Sequence, residues 1–165
     1  ERYAEAADAA QRFLEKEPGG PETCVIMGIA LFKLGQPKDA IRALDRALAK
    51  APLIADAWLY KGIAANDLNQ YDDAIAALSK AVEISPANAQ AYFQRGIAFQ
   101  NLKEFLKAAQ DFDRALSFDP KNAETAFRKG ATSIKIHRYD DALEALNQDR
   151  RRPTASCRSS YPPRR

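Results

Sequence analysis

One histidine, two cysteines, one tryptophan and one methionine are all that 165 residues contain of these types, and each scarcity closes off a chemistry. His137 has no carboxylate or cysteine placed beside it by spacing, so it reads as a solvated turn residue. Cys24 and Cys157 provide neither a framework of bridges nor a metal spacing. Cys24 is expected to act as a small buried hydrophobe, and Cys157 as an exposed thiol with nothing to activate it. This cysteine usage suits a reducing compartment, and a cytoplasmic location is the expectation. No apolar run approaches the ~20 residues of a bilayer-spanning helix. The chain opens at Glu1 with neither an initiator Met nor a signal-like stretch, so a piece of a longer protein is expected. There is no glycine-rich phosphate loop and no nucleophile elbow. The acid pairs Asp72-Asp73 and Asp140-Asp141 fall in first turns of predicted helices, where carboxylates favour the positive end of the dipole. No catalytic residue, cofactor site or metal site is nominated, and an enzyme is not expected.

What the chain does have is a period. Gly28, Gly62, Gly96 and Gly130 stand 34 residues apart, as do Pro18, Pro52, Pro86 and Pro120, and Ala40, Ala74, Ala108 and Ala142. A fixed step of this size marks stacked units, none of which can bury its own apolar face alone. The predicted units are 21–54, 55–88, 89–122 and a truncated 123–148, with a half unit over 2–20. Within a unit, apolar residues recur at three- and four-residue steps in two blocks, which predicts two amphipathic helices. In the third unit these are Ala89–Leu102 and Phe105–Phe118. The small residues sit where antiparallel helices cross, while Leu44, Leu78, Phe112, Trp58 and Tyr92 fill the seams. Each proline is expected to end a second helix. Asn88 and Asn122 suit the N-cap of the helix that follows, and Gly20-Pro21 does so in the first unit.

The run Ala57-Trp58-Leu59-Tyr60-Lys61-Gly62, followed by Tyr71, Ala74, Leu78, Ala81 and Pro86, resembles the tetratricopeptide repeat (TPR). The resemblance covers residues 1–148 and matches nearly every signature position of three full units. It implies an all-α, right-handed superhelical solenoid of antiparallel helix pairs. It also implies a non-catalytic interaction scaffold, in which the first helices line a concave groove for a peptide or helical segment of a partner protein. By position, that groove consists of Val25, Ile29, Leu59, Ile63, Asn66, Phe93, Gln94, Ile97, Gln100, Phe127 and Arg128, with Phe32, Ala131 and Ile134 alongside. An apolar floor with amides at its margin suits a segment bearing bulky side chains at intervals. The same residues have a second reading, as packing between units.

Two known groove chemistries are missing. Chaperone-adaptor TPR domains clamp an acidic C-terminal tail with Lys, Asn and Arg, and the matching places here hold Val25, Ile29, Tyr60, Gln90 and Gln94. Glu22, Asp56 and Glu124 line the same edge, so an acidic chaperone tail is not an expected partner. The asparagine ladder of some glycosyltransferases is also absent, because Ile26, Tyr60, Gln94 and Arg128 fill its row.

The pattern breaks at Gln148. Asp149 stands where Ala47, Ala81 and Ala115 stand in earlier units, and residues 150–165 hold six arginines and no acid. Residues 1–149 therefore carry −3, six below the net +3 of the whole chain. A tail of Arg, Ser and Pro is expected to be disordered or partly capping. It provides the alternative function, electrostatic contact with nucleic acid or an anionic membrane, which would be strongly salt-dependent. Leu143 and Leu146 have no following unit to cover them, so self-association through the last helix is a further expectation.

Overall fold

The computed structural model describes residues 20–136, which form seven helices with no strand among the described residues. They are α1 (Pro21–Lys33), α2 (Pro37–Lys50), α3 (Ala55–Asp67), α4 (Tyr71–Ile84), α5 (Ala89–Asn101), α6 (Phe105–Phe118) and α7 (Ala123–Lys135). Consecutive helices from α1 to α7 pack on one another. In addition α1 touches α3, and α3 touches α5. The chain is thus an all-α solenoid of helix pairs, its first helices side by side in one row and its second helices in another. The half unit 2–19, the second helix of the fourth unit, His137, Asp140-Asp141 and the arginine tail lie outside the described residues.

The period becomes packing at the glycines. A Cβ built on Gly28 would come within 2.6 Å of Leu44 Cγ, and one on Gly96 within 2.6 Å of the Phe112 ring. At Gly62 the same role falls to Leu78. Leu44, Leu78 and Phe112 are completely buried, so each pair of helices closes by seating one large side chain on the glycine of its partner. Ala40, Ala74 and Ala108 lie fully buried at the same crossings.

Termini follow local chemistry. The Asn88 side chain accepts from the Ala91 amide and that of Asn122 from the Thr125 amide, each at 3.0 Å, while α1 starts with Pro21 after Gly20. Ala51, Ser85 and Asp119, each directly before a proline, are extended with φ near −140°, −127° and −130°. The turn inside each pair has one left-handed residue: Gly35 (φ 75°), Asn69 (φ 59°) and Lys103 (φ 62°). Around them the Gln36, Gln70 and Glu104 amides donate to the carbonyls of Leu31, Ala65 and Phe99, so each first helix ends in the same closing motif.

Candidate partner-binding face

The row of first helices is the face on which the sequence places a groove, and its seams change in chemistry along the stack. Between α1 and α3 the contact is aromatic: the Phe32 and Tyr60 rings meet edge to face, 6.1 Å between centroids. Between α3 and α5 the same pair of positions holds two amides. Asn66 Nδ2 donates to the Gln94 carbonyl at 2.9 Å and lies 3.5 Å from Gln94 Oε1. Between α5 and α7, Gln100 Nε2 donates to Thr132 Oγ1 at 2.9 Å, and that hydroxyl donates to the Arg128 carbonyl at 2.7 Å.

Burial divides the eleven candidates. Val25, Leu59 and Ile63 are interior residues, with Leu59 only 4% exposed, because the neighbouring first helix covers them. They belong to the hydrophobic clusters that join consecutive units. Asn66 is likewise buried at 9% exposure. Ile29, Phe93, Gln94, Ile97, Gln100 and Arg128 are half-buried. Phe127 is 76% exposed and Ile134 68%, since no described first helix follows α7 to cover them. Apolar surface within reach of a ligand therefore gathers at the α5–α7 end, with a second exposed group at Ile26 and Leu53 near the start of the stack.

At the α5–α7 seam lies a recess of about 460 Å³. Phe93 forms apolar wall, Gln90 and Gln94 supply amides, and Asp119, Asn122 and Glu124 line the opposite side at the start of α7. Arg128 lies over the Phe93 ring at 5.8 Å while its Nη2 pairs with Glu124 Oε1 at 3.0 Å. The recess is thus an aromatic and amide surface bordered by two acids, Asp119 and Glu124, of which Arg128 pairs with Glu124, and it is not a cationic clamp. The clamp positions hold Val25, Ile29, Tyr60, Gln90 and Gln94, with exposed acids at Glu22, Asp56 and Glu124.

Two residues of this face escaped the sequence reading. Thr132, fully buried, occupies the place filled by Ala30, Ala64 and Ala98, and Thr125 is buried where Ala57 and Ala91 are. The departure from alanine was the available signal. Among the described residues no helix is long and apolar enough to cross a membrane, and Cys24 is buried.

Against known proteins, a profile described as a tetratricopeptide repeat matches residues 27–89, and a second of the same description matches 89–122. A sequence comparison with curated proteins gives no significant match. Among solved structures the chain is similar to MamA (41-end) from Desulfovibrio magneticus RS-1, at 26% identity and TM-score 0.79 over 88% of this chain and 82% of that one. It is similar to YrrB, a TPR protein with an unusual peptide-binding site, at 24% identity and TM-score 0.72 over 78% and 66%. A third likeness is to the first TPR of Spaghetti (RPAP3) bound to HSP90 peptide SRMEEVD, at 22% identity and TM-score 0.69 over 70% and 92%. The last two likenesses concern the fold.

Proposed function

The chain belongs to the tetratricopeptide repeat family, and on that premise we propose that it is a non-catalytic scaffold whose first-helix face holds a segment of a partner protein. The recess between α5 and α7 carries this reading. It pairs the half-buried Phe93 with amides at Gln90 and Gln94, and the exposed Phe127 stands on the adjoining helix. Apolar surface with a few fixed polar groups is what a segment needs for anchoring and for satisfying its own peptide groups. Ile97 and Ile134 extend the apolar strip, and Gln100 and Arg128 border it.

The same fold carries a peptide in the first TPR of Spaghetti (RPAP3), and that peptide, SRMEEVD, has three acidic residues. We place an acidic tail outside the partners of this chain. Its clamp positions hold no cation, and Glu22, Asp56 and Glu124 would repel carboxylates. The favoured partner is a segment with bulky apolar side chains at intervals.

The test is a lysate capture with the full chain beside Phe93→Glu and Phe127→Glu variants of equal helical content by circular dichroism. Proteins retained by the native chain and lost from both variants support the face. Retention of the same set by all three overturns it.

A further inference from the structure

The recess between α5 and α7 is rich in acceptors. Asp119 and Glu124 are both exposed on its border, and Gln90, Gln94 and Asn122 add amides. Among the described residues Asp119 makes no ion pair, and its one side-chain hydrogen bond comes from the Asn122 amide at 3.4 Å. Arg128 uses a single oxygen of Glu124, with Nε 3.1 Å and Nη2 3.0 Å from Oε1. Glu124 Oε2 has no hydrogen bond or ion pair among the described residues. Lys121 stands in the same loop but does not line the recess.

One guanidinium is already seated here. Arg128 lies over the Phe93 ring at 5.8 Å with its head on Glu124. An aromatic face beside a carboxylate suits the planar, permanently charged fork of arginine. Asp119 and the second oxygen of Glu124 offer the same to another arginine.

The chain itself carries the complementary charge. Residues 150–165 hold six arginines and no acid. The described residues end at Ile136, at the opposite end of α7 from the recess. α7 has 13 residues and is therefore about 20 Å long. Residues 137–149 are as many again, so that stretch covers the same distance even if wound as a helix. Arg150 and the residues after it are thus within reach of the start of α7. Along the same edge Glu22 and Asp56 hold the place of Glu124 in the first two units, so arginines beyond the recess meet carboxylates again. Exposed ion pairs are individually weak, but a covalent tether gives an effective concentration on the order of millimolar.

We propose that residues 150–165 are the resident occupant of the α5–α7 recess, with an arginine held by Asp119 and Glu124 beside the Phe93 ring. The inference rests on the first-helix face being a binding surface, and it makes the tail a competitor of any partner held there. An apolar segment leaves Asp119 unused, and an acidic one is repelled.

Cys24 is buried, so a nitroxide attached to the folded full chain goes on Cys157, within the tail. It should selectively erase the NMR signals of the Gln90, Phe93, Glu124 and Thr125 amides and leave those of Ala43 and Leu44, on α2, intact. Arg150→Ser, Arg151→Ser and Arg152→Ser together should restore the lost signals, and so should Asp119→Asn combined with Glu124→Gln. Salt should restore them as well, because the Debye length contracts from ~10 Å at 0.1 M to ~3 Å at 1 M. The serine variant changes no described residue, so it decides the matter if the recess variant does not fold.

The proposal fails if the signal loss is absent or spread evenly over the helices, or if the serine variant does not relieve it. It fails too if an isotope-labelled chain without nitroxide shows the same loss when mixed with a nitroxide-carrying copy, which makes the occupant a second copy's tail. The readout needs no foreign partner. Capture from lysate without the tail contact removes this proposal alone, and a tail contact without capture removes the scaffold reading alone.

Discussion

Arg95 and Asp111 form a two-pronged pair across the third unit, with Nε 2.7 Å from Oδ2 and Nη2 2.8 Å from Oδ1. Asp111 is 7% exposed by side chain and Arg95 18%, so the pair is nearly dry. The hydrogen bond to Asp111 holds the guanidinium above its ordinary pKa, against the opposing effect of burial. The other units solve the same problem differently. Lys61 reaches back to Asp45 and Lys129 to Asp113, both on the preceding second helix, at 2.5 Å. For Arg95 the residue in that place is Ser79, whose Oγ lies 3.1 Å from Nη1. The carboxylate has moved from the preceding unit into the arginine's own unit, where Ala43 and Ala77 stand in the other two.

Arg95→Ala leaves Asp111 buried and unpaired and should cost about 3 kcal/mol. Asp111→Ala leaves the more exposed partner with Ser79 still beside it and should cost about 1–2 kcal/mol. Restoring the pattern of the other seams, with Ser79→Asp added to Asp111→Ala, should recover most of that loss. Urea denaturation of the four proteins measures all three differences. A double variant no better than Asp111→Ala would mean that the seam does not use this exchange.

The glycines should divide by what faces them. Gly96→Ala drives a methyl into the Phe112 ring, and the overpacking, about 1–3 kcal/mol, outweighs the ~1 kcal/mol gained in helix propensity. Among the described residues Gly130 has no such neighbour within 4 Å, so Gly130→Ala should stabilise by about 0.5–1 kcal/mol. Thermal melting of the pair checks the opposite signs. Equal destabilisation at both sites would show a large side chain seated on Gly130 in solution.

Lys103 is held at φ 62°, the place filled by Gly35 in the first unit. A left-handed lysine costs roughly 1 kcal/mol relative to a residue without a Cβ. Lys103→Gly should therefore raise stability by up to about 1 kcal/mol in urea denaturation, and Lys103→Val should lower it.

Much of the fold was legible because periodic residues carry local physics. A glycine opposite a large second-helix side chain, a proline after a second helix and, in two units, an asparagine before a first helix each carry the same meaning where they recur. What could not be read was what neighbouring helices do to single positions. Leu59 and Ile63 read as groove floor, but the adjoining helices bury them, and spacing does not separate floor from seam. Lys103 gives no hint of a left-handed turn, because lysine has no preference for one. Asp111 stands where Ala43 and Ala77 stand in other units, and nothing in its spacing shows that Arg95 folds onto it.

The measurement closest to the central claim is site-specific photo-crosslinking from the first-helix face. A photoreactive phenylalanine analogue at Phe127 is compared with the same group at Leu106, which is also exposed but lies on the second helix α6. A scaffold that holds its partner on the first helices should give discrete protein adducts from Phe127 and only background from Leu106. The Phe127 adducts should fade when Phe93→Glu is added. Equal adducts from both positions, or adducts from Leu106 alone, would contradict the account.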